Sequence, residues 1–260
     1  PVAGDNDIQI INNLRDQVQN LKEMWTGRTP AGIPMVPDEL TEAAFYGRED
    51  VATLLDEGKV PLGLDLETVE PVTWDLKKGN LLYLTDKEEQ MTQFVKQIAR
   101  SKQKVIVLAP AYNELPEMEG VTILSTKEDY VAGIKKMEEN IQLRLEQQKS
   151  QHEATIVLYN QLELMNDLSM DLQSSLNYVL EKGARAGYAT VAMSGSQLNR
   201  KIDEVSKSIK LYKQAIVAMR ITDQSVLNVI NRSVREEPLD SQVNYYVEDG
   251  FVRKVKVLMK

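Results

Sequence analysis

The spacing of apolar residues changes its period along the chain, and each period predicts a different element. Ile11, Leu14, Val18, Leu21 and Trp25 step by three and four, which predicts an amphipathic helix over Ile8–Trp25. It is too short for an independent coiled coil and is expected to dock on its own domain or on a neighbour. Pro30, Gly32, Pro34 and Pro37 then forbid a helix and predict an extended connector over Thr29–Pro37. Glu39–Glu57 reads as loosely helical and stops at Gly58. Val60–Leu66 and Val69–Leu76 read as short strands, with Pro61 and Pro71 confining them to edges or strand starts.

From Asn80 onward short apolar runs alternate with amphipathic stretches. Leu81–Leu84, Val105–Leu108, Val121–Leu124, Ala154–Tyr159, Thr190–Met193 and Ala215–Met219 are runs of the kind used by strands buried on both faces. Between them, helices are expected over Asp86–Arg100, Lys127–Gln148, Asp171–Lys182, Gln197–Ser208 and Gln224–Asn231. In the second of these Tyr130, Ile134, Met137, Ile141 and Leu145 form one stripe. Tyr245–Val247 and Phe251–Met259 flank Glu248-Asp249-Gly250, which predicts a closing β-hairpin. The expected fold is α/β: a mainly parallel sheet with helices on both faces, a helical and extended lead-in over residues 1–32, and one domain over residues 33–260.

Composition narrows the chemistry. The chain has no cysteine and one histidine, which excludes disulfides, thiolate metal sites and any Ser-His or Cys-His pair not built on His152. His152 follows the polar run Gln147–Gln151 and is expected in a solvated loop. A net charge of −8 gives no support to non-specific nucleic-acid binding. No apolar run approaches the ~20 residues that span a bilayer, and the chain opens on Pro1 without methionine. It is therefore expected to be part of a longer protein whose membrane anchor lies outside it.

In a parallel sheet of this kind ligands bind beyond the carboxyl ends of the strands. A phosphate-binding loop between strand and helix reads G-x-x-x-x-G-K-[ST]: glycines let backbone N–H groups curl round phosphate, lysine neutralises it, and the hydroxyl ligates Mg²⁺. After Leu84 the chain carries Thr85, Asp86, Lys87, Glu88, Glu89, Gln90, Met91 and Thr92. Thr85 and Gln90 stand in the glycine positions, Met91 stands in the lysine position, and Thr92 alone fits. Asp86, Glu88 and Glu89 put negative charge where a triphosphate would sit; one like-charge pair near 4 Å costs on the order of 4 kcal/mol at an effective dielectric near 20. The second half of such a site is a buried strand ending in acids that hold the metal shell and polarise water. Here Ala154–Tyr159 is followed by Asn160 and Gln161, amides with neither charge nor basicity. Taken singly, Thr85–Thr92 is an acidic helix start favoured by the macrodipole, and Asn160-Gln161 an ordinary strand end.

The order and spacing of the segments carry a resemblance. Asn80–Thr92 matches, without a gap, the strand and Walker A loop of the FtsK/SpoIIIE family of translocase ATPases. Ile156–Met165 resembles that family's Walker B strand, Leu176–Met193 its following helix, Gly-containing turn and next strand, and Asp223–Leu227 a later segment. Ile33–Leu40 and Val60–Leu66 resemble the lead-in to an ATPase domain of the type VII secretion coupling proteins, which carry several such domains in tandem. The resemblance implies a P-loop NTPase-like (RecA/FtsK-like) fold and the degenerate last domain of a membrane-bound motor. It implies a cytoplasmic domain without catalysis of its own, and a vestigial nucleotide cleft at Thr85–Thr92, Asn160 and Gln161. It further implies no resident cofactor, neighbouring ATPase domains and WXG100-type secreted substrates as partners, and a hexameric full-length protein. Two other readings stand beside it. ATP and Mg²⁺ would still bind through a nonstandard loop, with Thr92 on the metal and Lys87 in place of the missing lysine; or the domain would be a DNA translocase, which the acidic charge disfavours.

Three further features are read as structural. Arg185 is a surface arginine before it is a trans-acting one. Arg253, Lys254 and Lys256 protect an edge strand before they bind nucleic acid. Ser194-Gly195-Ser196-Gln197 is a helix cap or a sensor-like polar loop.

Overall fold

The computed structural model describes residues 7–24, 35–76, 79–113, 115–230 and 236–258. The chain divides into two units, residues 1–35 and 36–260. In the first, helix α1 (Asp7–Met24) carries the predicted stripe, and Ile8, Ile11, Leu14, Val18 and Leu21 all lie exposed. Trp25 and the greater part of the predicted connector lie outside the described residues.

The second unit runs α2 (Glu42–Tyr46), α3 (Glu49–Asp56), β1 (Val60–Asp65), β2 (Pro71–Trp74), β3 (Leu81–Leu84), α4 (Glu88–Ala99), β4 (Val105–Leu108), β5 (Val121–Leu124), α5 (Lys127–Glu146), β6 (Ala154–Leu158), α6 (Gln161–Asp167), α7 (Met170–Lys182), β7 (Tyr188–Ser194), α8 (Glu204–Ile209), β8 (Gln214–Val217), β9 (Val243–Glu248) and β10 (Phe251–Lys256). All strands join one sheet in the order β2-β1-β10-β9-β8-β3-β7-β6-β4-β5. From β8 to β5 neighbours are parallel; from β8 back to β2 they are antiparallel.

Every parallel strand but β5 is buried on both faces, and residue parity assigns each side chain to one of two cores. Leu82, Leu84, Ile156, Leu158 and Ala192 face one side, under α5, α7 and α8. Leu81, Tyr83, Val157, Val191 and Met193 face the other, where Met91, Phe94, Val95 and Ile98 of α4 cover them. Helix α5 starts at a capping box in which Thr126 and Asp129 satisfy each other's backbone amides, and it buries Tyr130, Ile134, Met137 and Ile141 as the stripe predicts.

Several expectations change. The basic strand β10 is not an edge: β1 returns antiparallel onto it at Leu64↔Lys256 and Asp65↔Val255. Lys256 is buried, and Arg253 lies 5.0 Å over the Tyr246 ring and 3.8 Å from Asp65. Pro61 lies inside the sheet, beside a register shift and beyond the β10 pairing, so its missing N–H interrupts no bond to β10. The single helix expected over Gln197–Ser208 is a 3-10 turn, Ser196–Arg200, followed by α8. The extended backbone of Lys201 ends the turn, and the Asp203 carboxylate caps α8 by accepting Ser206 N–H at 2.8 Å.

Residues 224–230 are not helical. The Gln224 amide takes both backbone groups of Leu227, accepting its N–H at 2.8 Å and donating to its carbonyl at 3.2 Å. Glu236 similarly accepts from Ile221 N–H and Thr222 N–H at 2.8 and 3.0 Å. Burial pushes the Glu236 carboxyl up, but bonds from Tyr245, Thr222 and Ile221 outweigh it, and its pKa lies below the ordinary 4.5. A depressed carboxylate lends stability that is complete above the unfolded value and is lost as pH falls through the folded one. Thermal unfolding between pH 7 and pH 3 therefore shows a steeper acid loss for the wild type than for Glu236→Gln, which is less stable at pH 7.

Candidate functional site

Strands β3 and β7 are neighbours whose outgoing connections diverge. From β3 the chain crosses through α4 to β4; from β7 it crosses through α8, on the opposite face, to β8. Their carboxyl ends mark the topological switch point, where α/β sheets place ligands.

The loop after β3 is short. Only Thr85, Asp86 and Lys87 separate the strand from α4, whose first residue is Glu88. Thr85 is fully buried; its N–H bonds Ser194 carbonyl at 2.9 Å, and its hydroxyl donates to Gln90 Oε1 at 2.5 Å and accepts from Lys87 N–H at 3.1 Å. The Asp86 carboxylate crosses the switch point and accepts Ser196 N–H at 2.8 Å and Ser196 Oγ–H at 3.3 Å. It takes the place an anion takes against free backbone N–H groups. Gly195 permits this approach, because a Cβ there would lie 2.5 Å from Asp86 Oδ1.

The remaining positions divide. Glu88 and Glu89 occupy the first turn of α4, where the macrodipole favours them. Met91 is only 3% exposed and packs into the core beside Phe94 and Val95. Thr92 Oγ1 lies 2.9 Å from Tyr159 OH, which donates to Glu88 carbonyl at 3.2 Å. Asn160 holds a left-handed backbone, φ 45°, and its amide reaches Glu88 Oε1 at 3.3 Å and Tyr112 OH at 3.2 Å. Gln161 turns away from Asn160 and is fully buried: it donates to Ser206 Oγ at 3.2 Å and accepts from Ser194 Oγ at 3.1 Å. The structure thus brings Glu88, Glu89 and Thr92 to one cleft of about 410 Å³ with Tyr112 and Tyr159, ties Asn160 to that cleft only through its bonds to Glu88 and Tyr112, and directs Met91 and Gln161 elsewhere. Burial first, and then Glu163 and Glu88, push the Tyr112 hydroxyl above its ordinary pKa; burial and Glu88 do so at Tyr159 despite the Thr92 bond. Both phenols stay neutral at physiological pH.

Two partnerships were not visible beforehand, Asp86 with Ser196 and Gln161 with Ser194 and Ser206. The polar run Ser194-Gly195-Ser196 after a buried strand was their only signal. Among the described residues no group of three or more His, Asp or Glu side chains could hold a metal ion. No described helix is long and apolar enough to cross a membrane.

Comparison with known proteins adds to this geometry. No protein-family model matches the chain. It is 25% identical over 255 residues to the type VII secretion system protein EssC of Staphylococcus aureus, which covers 94% of this chain and 17% of that protein. It is 26% identical to the ESX secretion system protein YukB of Bacillus subtilis, covering 99% of this chain and 18% of that protein. The chain thus spans under a fifth of the length of these relatives. Among solved structures, EssC ATPases 2 and 3 from Geobacillus thermodenitrificans superpose with a TM-score of 0.81 at 20% identity, covering 98% of this chain and 51% of that one. Thermomonospora curvata EccC ATPases 2 and 3, in complex with a signal sequence peptide, give 0.65 at 15% identity, covering 99% and 50%. The fold is P-loop NTPase-like.

Proposed function

We propose, from the premise that this chain is homologous to the type VII secretion proteins EssC, YukB and EccC, that it serves as a degenerate ATPase domain which binds and assembles without hydrolysing nucleotide. One observation carries the reading. Only three residues separate Leu84 from helix α4, and the Asp86–Ser196 link occupies the switch point, so no curled loop remains to cradle a triphosphate. Thr92, the hydroxyl that would ligate Mg²⁺, bonds Tyr159 instead.

The positions after β6 support the same reading. Asn160 cannot take a proton from water, and Gln161 is committed to a buried bond chain between β7 and α8. Neighbouring ATPase domains of the same polypeptide are the partners, within a hexameric, membrane-anchored, cytoplasm-facing parent protein. The signal sequence peptide in the Thermomonospora relative favours secreted substrates as a second class of partner. The test is calorimetric titration of the chain with Mg-ATP. No binding tighter than roughly 100 µM, about −5.5 kcal/mol, is expected. Micromolar affinity with turnover would return the domain to the working ATPases.

A further inference from the structure

The cleft of about 410 Å³ beside α4 holds negative charge that nothing near it balances. Glu88 and Glu89 line it from the helix, and Tyr112 lines it from the loop after β4. Burial first, and then Glu163, Glu88 and Asp167, hold the Tyr112 pKa up, so carboxylates of both α4 and α6 act on that one phenol. Among the described residues no lysine or arginine pairs with Glu88, Glu89, Glu163 or Asp167. Lys96 lines the same cleft, but it stands two helical turns beyond Glu88, roughly 12 Å along the axis. The macrodipole accounts for Glu88 and Glu89 in the first turn of α4. It does not account for Asp167, the last residue of α6, where the dipole opposes a carboxylate.

Two further observations point to a ligand. Asn113 lines the cleft, and its Oδ1 is shut off from water yet accepts no hydrogen bond. Buried acceptors are normally partnered, so this one lacks a donor. Tyr112 is 60% exposed, and among the described residues its ring meets no other aromatic ring and carries no cation. Its hydroxyl is nevertheless fixed, by Asn160 Nδ2 at 3.2 Å. A ring held at its edge with an open face is a surface for a cation.

The spread of the acceptors chooses which cation. Among the described residues no three acids converge closely enough to hold a metal ion. An ammonium is a compact, strongly hydrated point charge. A guanidinium is planar and weakly hydrated, stacks on aromatic faces and spreads five donors round its edge. Two carboxylates, an amide oxygen without a donor and an open phenol face complement that shape.

We infer that the cleft seats the guanidinium of an arginine presented by a partner domain, stacked on Tyr112 and paired with Glu88 and Glu89. The carboxylates that repel a triphosphate attract this group. The cation site stands on the residues above; that the arginine comes from a neighbouring domain rests on the proposed function.

Titration of the whole chain with N-acetyl-arginine methylamide, followed by calorimetry and by NMR of the tyrosine rings, tests it. Saturable binding is expected, with a dissociation constant on the order of a few millimolar and a shift of the Tyr112 ring signals. N-acetyl-lysine methylamide binds roughly threefold or more weakly, and MgCl₂ leaves the ring signals unmoved. Glu89→Gln and Tyr112→Leu each weaken arginine binding by roughly three- to tenfold. Both positions are exposed, and unchanged urea midpoints separate lost binding from lost folding. Agmatine carries the same group as a free small molecule; affinity more than about tenfold above that of the blocked arginine would make this a metabolite site and overturn the partner assignment. Absence of saturation, equal affinity for the lysine probe, or a Glu89→Gln variant that binds like the wild type would each overturn the inference. Mg-ATP titration reads the cleft's lost chemistry separately. A chain that binds neither probe nor ATP loses this inference alone, whereas one that binds and turns over ATP loses the proposed function.

Discussion

Met91→Lys, which writes the missing cation back into the motif, destabilises the domain by about 3–5 kcal/mol and confers no ATP affinity. Counted along the motif, Met91 stands where the phosphate-binding lysine would be, yet α4 has already completed its first turn there, and the side chain is buried in the core on that face of the sheet. It belongs to the same buried apolar cluster as Phe94, Val95, Leu81 and Tyr83. An unpaired buried charge either titrates to neutral or forces the helix away from the sheet, and both routes lower stability. Met91→Leu keeps volume and polarity and costs under about 1.5 kcal/mol. Urea unfolding followed by tryptophan fluorescence measures both, since Trp74 is fully buried in the same core. A lysine variant as stable as the wild type, binding Mg-ATP at micromolar concentration, would show that the loop can re-form and would sink the structural account.

That contrast marks what the chain discloses by itself. Five of the six parallel strands were legible because burial on both faces demands uninterrupted apolar runs, and no helix of that length hides in four or five residues; β5 carries the same apolar run yet is a partly exposed edge, which its sequence did not reveal. Long helices with a single stripe, α5 above all, were legible for the same reason. The loop after β3 was not. An acidic stretch can be a cradle or the first turn of a helix, and only the depth of Met91 in the core decides it. Asn160 and Gln161 look alike as text, but one faces Glu88 and the other is buried between Ser194 and Ser206. The place of β10 inside the sheet was equally hidden. Nothing local to Arg253, Lys254 and Lys256 announces that β1, nearly two hundred residues earlier, returns to pair with them.

Gly187→Ala costs about 3 kcal/mol or more, while Gly120→Ala costs about 1, although both glycines hold left-handed backbones. The φ angles are 86° and 75°, so the conformational penalty is nearly the same at the two sites. The surroundings differ. A Cβ on Gly120 meets nothing closer than Gln103 carbonyl at 3.5 Å, an ordinary contact. A Cβ on Gly187 would lie 2.0 Å from Gln151 carbonyl, which is backbone and cannot swing aside. That carbonyl is also one of three acceptors that hold Arg144, at 2.5 Å, beside Ala186 carbonyl at 2.6 Å and Glu153 Oε2 at 2.7 Å. The Arg144 side chain is 12% exposed, so moving one acceptor strands part of a desolvated guanidinium. Glu153 N–H in turn bonds Gly187 carbonyl at 2.8 Å, which ties the turn to the start of β6. The difference between the two variants in urea midpoint, at unchanged slope, therefore isolates the close approach from the glycine conformation. Equal losses would mean that the turn before β7 yields freely, and that Arg144 does not brace it.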